Sequence, residues 1–327
     1  MRPSIGYKNG RLLAATTLLV VSAGSAFCAH PCAACHPKEV QGFLGTPMAN
    51  SMGPPGPGPS GTVNHRVSGT RFTIRSSSDQ MTQRMERDGL SSQYSIAYSV
   101  GSGAHAVAYL IQVGSHLFES PLSYFAESGW GMSPGYENLK APDFYRPVRA
   151  ECLFCHAGEA LPITGTLNAY RDPPFRSLTI TCDRCHGPAA EHIRNPVPGS
   201  ILNPRKLPPR ARDSVCEQCH LDGEVGIPNP GKQITDFRPG QNLEDIYTVY
   251  IYRSSRNAAH PNALTIISQS QQLALSKCAL KSGDRLWCGS CHDPHAIPAE
   301  PTAYFRERCL HCHGTALLKS HAKPNES

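Results

Sequence analysis

The chain has 327 residues, of which 39% are hydrophobic and only 17% are charged, and its formal charge is +6. An average domain has about 25% charged residues, and the 29 prolines and 28 glycines predict many turns and short elements. Lysine and arginine form no runs, so a nucleic-acid footprint is not indicated. The composition also disfavours a large core packed from leucine and valine. Cysteine and histidine are both abundant, with 14 and 15 residues.

Residues 1–26 are typical of a secretory signal peptide. Three basic residues precede an apolar stretch at residues 12–21, and small residues follow at positions 24–26. The apolar stretch is shorter than the ~20 residues of a membrane span. An uncleaved anchor and a lipidated Cys28 are the alternatives. We expect an exported protein that begins near Phe27 and works outside the cytoplasm, in the bacterial periplasm or otherwise exported.

Cysteine spacing is the strongest signal in the chain. Cys-x-x-Cys-His occurs six times, whereas random placement would give about 0.03 occurrences. In chain order, we call these motif 1 (Cys32, Cys35, His36), motif 2 (Cys152, Cys155, His156), motif 3 (Cys182, Cys185, His186), motif 4 (Cys216, Cys219, His220), motif 5 (Cys288, Cys291, His292) and motif 6 (Cys309, Cys312, His313).

This spacing predicts six covalently attached c-type haems. Two thiols can add to the two vinyl groups of one porphyrin, and the adjacent histidine can ligate the iron from one face. Zinc sites and disulfides are the alternatives, but neither needs a histidine after every Cys-x-x-Cys. Cys28 and Cys278 remain, and a disulfide between them is one reading.

A second axial ligand decides what each iron can do, because two strong ligands suit electron transfer and an open position admits a small molecule. His192 follows motif 3 on a short helix that Pro188 can start, and His295 follows motif 5 in Cys-His-Asp-Pro-His. His105 lies between glycines and an apolar run. The full set of expected distal ligands is His65, His105, His192, His260 and His295.

The motifs are unevenly spread, and this predicts the domain organisation. Residues 27–61 hold motif 1 and a Pro/Gly-rich linker, residues 62–150 form a β-rich subdomain without a motif, and residues 151–327 form a domain with five haems. Apolar residues alternate with small or polar ones over residues 94–100, and strand-like segments at residues 106–113 and 117–125 flank a hairpin turn at residues 114–116. We expect mainly short α-helices and loops wrapped around six covalently bound haems, with a small antiparallel β subdomain near residues 62–135. The longest predicted helix covers residues 262–281.

The six motifs, the run from Cys182 to Pro188 with His192, and the run from Cys288 to His295 resemble the multihaem c-type cytochromes. The superfamily in question includes a tetrahaem electron carrier, cytochrome c nitrite reductase and hydroxylamine oxidoreductase. The resemblance implies closely packed haem pairs and a second histidine that ligates a neighbouring haem. The chain lacks the Cys-x-x-Cys-Lys motif of nitrite reductases, and hydroxylamine oxidoreductase carries eight haems.

We therefore expect a hexahaem electron carrier of a respiratory chain, with mostly bis-histidine haems. Its expected partners are redox proteins, such as membrane quinol-oxidising components or other cytochromes, and not nucleic acid. Membrane association would occur only through an uncleaved N-terminus or a partner. The alternative functions are an oxidoreductase that acts on a small nitrogen or sulfur compound at one five-coordinate haem, and a structural or filament-forming conductor.

Overall fold

An antiparallel sheet of nine strands between residues 52 and 147 is the largest element of the protein. The computed structural model describes residues 30–55, 58–78, 80–221, 225–250 and 268–314. The strands are β1 (Met52–Gly53), β2 (Gly61–His65), β3 (Thr70–Ser76), β4 (Met81–Arg87), β5 (Leu90–Val100), β6 (Ala106–Val113), β7 (His116–Phe125), β8 (Gly129–Met132) and β9 (Arg146–Pro147). Strands β2 to β8 pair in chain order, while β1 pairs with β5 and β9 pairs with β7.

Alternating side chains account for these strands. In β3, Phe72 and Ile74 are buried while Arg71 and Arg75 are exposed, as expected of a strand with one face on a core. The turn between β4 and β5 is Asp-Gly, and Asp88 and Gly89 have φ values of 51° and 75°. Both values suit a type I′ turn, which matches the twist of the flanking strands.

The sheet curls so that its last strand returns to its first. Trp130 in β8 donates a hydrogen bond from Nε1 to the carbonyl oxygen of Pro59, at 2.7 Å, just before β2. The same indole lies so close to Gly61 that a Cβ there would be 3.0 Å from its ring. The curled sheet encloses a core of buried side chains: Phe72, Ile74, Met81, Ile96, Tyr109, Ile111, Leu122 and Phe144.

The prediction of a mainly helical, haem-wrapping fold with a small β subdomain is wrong. The sheet begins at Met52 and ends at Pro147, beyond both limits of the expected subdomain. Two further antiparallel sheets of two strands lie in the half that was expected to be helical: β10 (Glu159–Pro162) with β11 (Tyr170–Ser177), and β12 (Val225–Pro228) with β13 (Tyr247–Tyr250). Proline breaks helices, but it is tolerated in a strand with only one neighbour, and this is the position of β11.

The helices are short and most of them carry a motif. The α-helices are α1 (Pro37–Leu44), α2 (Ala150–His156), α3 (Asp183–His186), α4 (Ala190–Arg194), α5 (Pro209–His220), α6 (Gln269–Leu275), α7 (Lys277–Ser282), α8 (Cys288–Cys291) and α9 (Pro301–His313). Five 3₁₀ turns also form among the described residues, at Pro31–Ala34, Pro204–Lys206, Ile234–Asp236, Leu243–Asp245 and Gly283–Arg285. No helix within the described ranges combines the length and the apolar character needed to cross a bilayer.

The helix predicted over residues 262–281 is interrupted where the structure describes it. Residues 262–267 lie outside the described residues. Beyond them, Ser276 has an extended backbone between α6 and α7, and its side chain accepts a hydrogen bond from the amide of Ala279. A serine in the N-cap position of a helix has an extended backbone, so the preceding helix cannot continue through it.

Motif 2 is anchored directly on the sheet. Leu153, between the two cysteines of motif 2, is buried with Leu110 and Leu117 from β6 and β7. Tyr170 joins this cluster, and its hydroxyl donates to the carbonyl oxygen of Val148 at 2.8 Å. The sheet therefore serves as a rigid base for the segment that carries motif 2.

We expect Phe72→Ala to destabilise the sheet strongly. The Phe72 ring is fully buried, and removal of such a side chain costs about 3–5 kcal/mol. Urea unfolding followed by far-ultraviolet circular dichroism measures the loss. Val67→Ala is the control, because Val67 is 52% exposed. A loss below about 1 kcal/mol for Phe72→Ala would contradict its place in the core.

Candidate functional site

Each of the six motifs forms a helical turn in the structure. Motif 1 lies at the first 3₁₀ turn, motifs 2, 4 and 6 end helices α2, α5 and α9, and motifs 3 and 5 form α3 and α8. In motifs 1, 3 and 5, the histidine amide donates to the carbonyl oxygen of the first cysteine, at 2.8–2.9 Å. A helical turn places residues three and four apart on one face. The two thiols and the histidine of a motif can therefore address one planar group.

The structure brings the ring of His192 close to the ring of the histidine of motif 1. The ring centres of His36 and His192 are 6.4 Å apart, and their planes differ by 23°. Nδ1 of His192 lies 2.8 Å from the hydroxyl oxygen of Ser200. The Ser200 hydroxyl donates its own hydrogen to the carbonyl oxygen of Val197. The Ser200 oxygen is therefore the acceptor for the N–H at Nδ1 of His192. The lone pair of His192 is thereby placed on Nε2.

His295 lies opposite the histidine of motif 3 in the same manner. The ring centres of His186 and His295 are 5.9 Å apart, with an angle of 22° between the planes. Nδ1 of His186 donates to the carbonyl oxygen of Leu202 at 2.9 Å, and Nδ1 of His295 lies 3.4 Å from a carboxylate oxygen of Asp293. Metal-ligating histidines usually engage their second nitrogen in this way, which fixes the tautomer and the ring orientation.

The separations of both pairs fit two imidazoles on opposite sides of one metal. With metal–nitrogen bonds of about 2 Å and about 1.1 Å from nitrogen to ring centre, two such rings lie about 6.2 Å apart. The observed 6.4 and 5.9 Å bracket this value. Two thiols on a helical turn beside such a pair form the donor set of an attached haem. The residues present therefore fit the group that the motifs imply.

The helix after motif 1 packs against His295, which brings motifs 1, 3 and 5 together. A Cβ built on Gly42 in α1 would clash with the carbonyl oxygen of His295. Only glycine allows this approach of α1 to the backbone after motif 5. Three motifs that are far apart in sequence thus converge around two imidazole pairs.

A second junction joins motifs 2, 3 and 4 through the residues between their cysteines. Arg184 of motif 3 donates from Nη2 to the carbonyl oxygen of Phe154 in motif 2 at 2.8 Å, and its guanidinium lies 4.0 Å from the centre of the Phe154 ring. Gln218 of motif 4 donates to the carbonyl oxygen of Arg184 at 3.0 Å. Phe154 and Gln218 are both buried. The three motifs are therefore held as one unit.

Motif 4 also contacts motif 5, and motif 5 contacts motif 6. The thiols of Cys216 and Cys288 are hydrogen-bonded to each other. Arg212, one turn before Cys216, donates to the carbonyl oxygen of Asp284 at 3.1 Å and lies over the Trp287 ring. The ring of His292 in motif 5 meets Phe305 of α9 edge to face, with 5.2 Å between the ring centres. All six motifs therefore belong to one contiguous group.

Proximity between motifs shifts the pKa values of several thiols. Desolvation, followed by nearby cysteines of other motifs, raises the pKa of Cys182 and of Cys185 to about 11. The hydrogen bond with Cys288 is the main cause that raises the pKa of Cys216. A hydrogen bond from Cys155, with support from Arg184, lowers the pKa of Cys219 to about 7. Because the thiolate is the reactive form, Cys219 is the best nucleophile among these four.

Ligand atoms of His30, Cys32 and Cys182 lie within 4.8 Å of one another, which is close enough to hold a metal ion. Nδ1 of His30 accepts from the amide of Cys32 at 3.3 Å, and Nε2 lies 3.6 Å from the sulfur of Cys182. Nε2 of the neutral ring therefore carries the proton. His30 thus differs from His186 and His192, whose Nε2 atoms are free to bind a metal.

Three predicted distal ligands are not placed in such pairs. His65 is buried in β2 with Nδ1 2.7 Å from the Ser68 hydroxyl and Nε2 2.8 Å from the carbonyl oxygen of Glu137. Because both nitrogens are engaged, we do not retain His65 as a ligand. His105 is exposed in the turn between β5 and β6 and has no ring contact with a motif among the described residues. His260 lies outside the described residues, as does Cys28.

A cavity of about 770 Å³ lies between motifs 1, 2 and 3. Its walls include Cys32 and the apolar side chains of Leu153, Phe154 and Phe237, and Arg184 and Arg238 also line it. Arg238 donates to the carbonyl oxygens of Thr235 and Phe237, which fixes its guanidinium. The cavity suits a flat apolar group that carries negative charge at its edge.

Comparisons with known proteins give little beyond this geometry. No protein-family model matches the chain, and no curated protein matches it. Among solved structures, the chain is similar to the undecahaem cytochrome from the S-layer of Carboxydothermus ferrireducens, with 15% sequence identity and a TM-score of 0.34. The match covers 67% of this chain but only 35% of that protein. A likeness this low carries no argument, so the interpretation depends on the motifs and the imidazole pairs.

Proposed function

We propose that the chain is an exported hexahaem c-type cytochrome that relays electrons between redox proteins. The observation that carries this proposal is the pairing of His36 with His192 and of His186 with His295, at separations that fit one iron between two imidazoles. Such saturated ligation suits electron transfer and leaves no site for a substrate at these two irons. The sequence resemblance to multihaem cytochromes supports the same function.

The chain supplies two thiols and one histidine for each of six haems. In each motif the two cysteines would form the thioether links and the histidine would ligate the iron, and His192 and His295 would supply the second histidine at motifs 1 and 3. When bound, haem supplies a one-electron iron couple whose potential depends on its ligands, hydrogen bonds and burial. The protein holds the imidazoles of His186, His192 and His295 by hydrogen bonds or ion pairs to Nδ1, which orient these rings.

The contiguity of the motifs supports a relay. Contacts run from motif 1 to motif 3, from motif 3 to motifs 2 and 4, and from motif 4 through motif 5 to motif 6. This order differs from the order in sequence. Motif 6 is the outermost, because helix α9 has no buried residue. An exposed terminal haem is where a partner protein exchanges electrons, and membrane quinol-oxidising proteins and other cytochromes are the partners we propose.

Export through the N-terminal signal at residues 1–26 belongs to the same proposal. Haem attachment to Cys-x-x-Cys-His takes place on the outer side of the bacterial membrane, and a periplasmic location agrees with it. Membrane association would require an uncleaved N-terminus or a membrane-bound partner.

A second candidate function is catalysis at an open haem. The histidines of motifs 2, 4, 5 and 6 have no facing imidazole among the described residues, and His156, His220, His292 and His313 are exposed. An iron with one open axial position could bind a small nitrogen or sulfur compound. This candidate concerns those motifs and leaves the two imidazole pairs unchanged.

Intact-mass spectrometry of the purified, exported protein, combined with an optical redox titration, tests the proposal. We expect the mass of the processed chain plus six haems, and reversible reduction of all six. A protein that carries zinc or disulfides in place of haem, as detected by elemental analysis and thiol counting, would contradict it. Rapid turnover of nitrite, hydroxylamine or sulfite would favour the second candidate over the carrier.

A further inference from the structure

Arg184 occupies an unusual position between the cysteines of motif 3. It contacts motif 2 through the carbonyl oxygen and ring of Phe154, and its own carbonyl oxygen accepts from Gln218 of motif 4. Its positive charge also lowers the pKa of the Cys219 thiol in motif 4. One permanently charged side chain thus lies at the junction of three motifs.

One hydrogen-bond donor of the Arg184 guanidinium has no acceptor among the described residues. Nε of Arg184 is buried and has no hydrogen-bond partner in the part of the chain that the structure describes. A buried donor without a partner destabilises the protein, because it has lost its hydrogen bonds to water and gained none.

The residues around Arg184 indicate which kind of acceptor could bind its unpaired N–H group. It lines the cavity of about 770 Å³ with Arg176 and Arg238, and the two carboxylates among the lining residues are Glu159 and Asp183. Glu159 is already paired with Arg176. A haem brings two carboxylates with it, and arginine binds a carboxylate through two parallel hydrogen bonds.

We propose that Arg184 binds a haem carboxylate at the junction of motifs 2, 3 and 4 and thereby sets the reduction potential of that haem. This proposal rests on the proposed function, because it requires attached haem. A fixed positive charge close to an iron in a poorly solvated setting favours the reduced, less positive form. Arg184 is a positioning residue in this role and is not an iron ligand.

Substitution of Arg184 and a redox titration of the six-haem protein test the proposal. In Arg184→Gln, we expect one haem to shift by at least tenfold in its one-electron equilibrium, which is about 59 mV toward lower potential. In Arg184→Lys, the positive charge remains, but the planar group that donates two parallel hydrogen bonds is lost. We expect a two- to fivefold shift in the same direction. Arg176→Gln is the matched control, because Arg176 lines the same cavity but its side chain is 70% exposed and paired with Glu159. The control should shift less than twofold.

The outcomes separate this proposal from the proposed function. A wild-type protein without haem would contradict the proposed function itself. A six-haem Arg184→Gln protein with every potential within twofold of wild type would overturn only the role of Arg184. If Arg184→Gln does not accumulate with six haems, the Lys variant decides, and an unchanged potential in it overturns the proposal. Equal shifts in Arg184→Gln and Arg176→Gln would also overturn it, because a general charge effect would then explain both.

Discussion

The His192→Ala protein should gain one high-spin haem and bind one equivalent of carbon monoxide after reduction, beyond any uptake by the wild type. The reason is that the His192 ring faces the His36 ring at 6.4 Å, so its removal opens one axial position of the iron at motif 1. Electron paramagnetic resonance of the ferric protein and a carbon monoxide titration of the reduced protein measure the two effects. The haem count by mass should stay at six, because the cysteines of motif 1 are unchanged.

A matched control exists in the same chain. His116 is exposed at the start of β7, where it pairs with Val113 across the hairpin, and His116→Ala should leave the spectra unchanged. His295→Ala should reproduce the effect of His192→Ala at motif 3, since the two ring pairs have the same arrangement. Unchanged spin state in both His192→Ala and His295→Ala would show that these imidazoles are not iron ligands.

Loss of motif 4 should harm the protein far more than loss of motif 6. In Cys216→Ala/Cys219→Ala, we expect five haems by mass and a fall of about 3–5 kcal/mol in the free energy of unfolding, as for removal of a large buried group. Motif 4 contacts Cys288 of motif 5, and Gln218 ties it to Arg184 of motif 3. Motif 4 therefore lies at the centre of the group, between motifs 3 and 5.

Cys309→Ala/Cys312→Ala is the comparison. Both thiols are exposed and helix α9 has no buried residue, so this protein should also carry five haems but lose less than about 1 kcal/mol. Denaturant unfolding followed by circular dichroism compares the two variants. Equal losses would contradict the central position of motif 4.

Local patterns in the sequence predicted part of the sheet well. The hairpin around residues 114–116 forms as expected, with β6 at Ala106–Val113, because strand-forming segments flank a turn in which Gly114 has φ of 59°. The extent of the sheet was missed. β1 and β9 have two residues each, and such short strands carry no periodic signal, since their pairing with β5 and β7 is decided by distant residues.

Proline content misled the prediction in the second half of the chain. Pro173 and Pro174 read as breakers of a helix, but they lie inside β11, an edge strand that needs few amide donors. The composition pattern could exclude long helices, but it could not choose between short helices and short hairpins. That choice depends on packing, such as burial of Phe175 beside Leu153.

The site was predictable in its motifs but not in its pairings. His192 was expected to follow Pro188 on a short helix, and α4 carries it, yet nothing in the sequence says that it faces motif 1 and not another motif. His65 illustrates the opposite case, because its partner Glu137 is 72 residues away and invisible to a local pattern. Arg184, Phe154 and Gln218 were missed because the positions between the cysteines follow no rule in the motif.

The spin state of the purified ferric protein, measured together with carbon monoxide uptake after reduction, tests ligation by paired imidazoles most directly. We predict low-spin signals that include the haems of motifs 1 and 3, and no carbon monoxide binding at those two haems. A fully high-spin ferric spectrum, with carbon monoxide bound in proportion to every haem in the protein, would contradict the account.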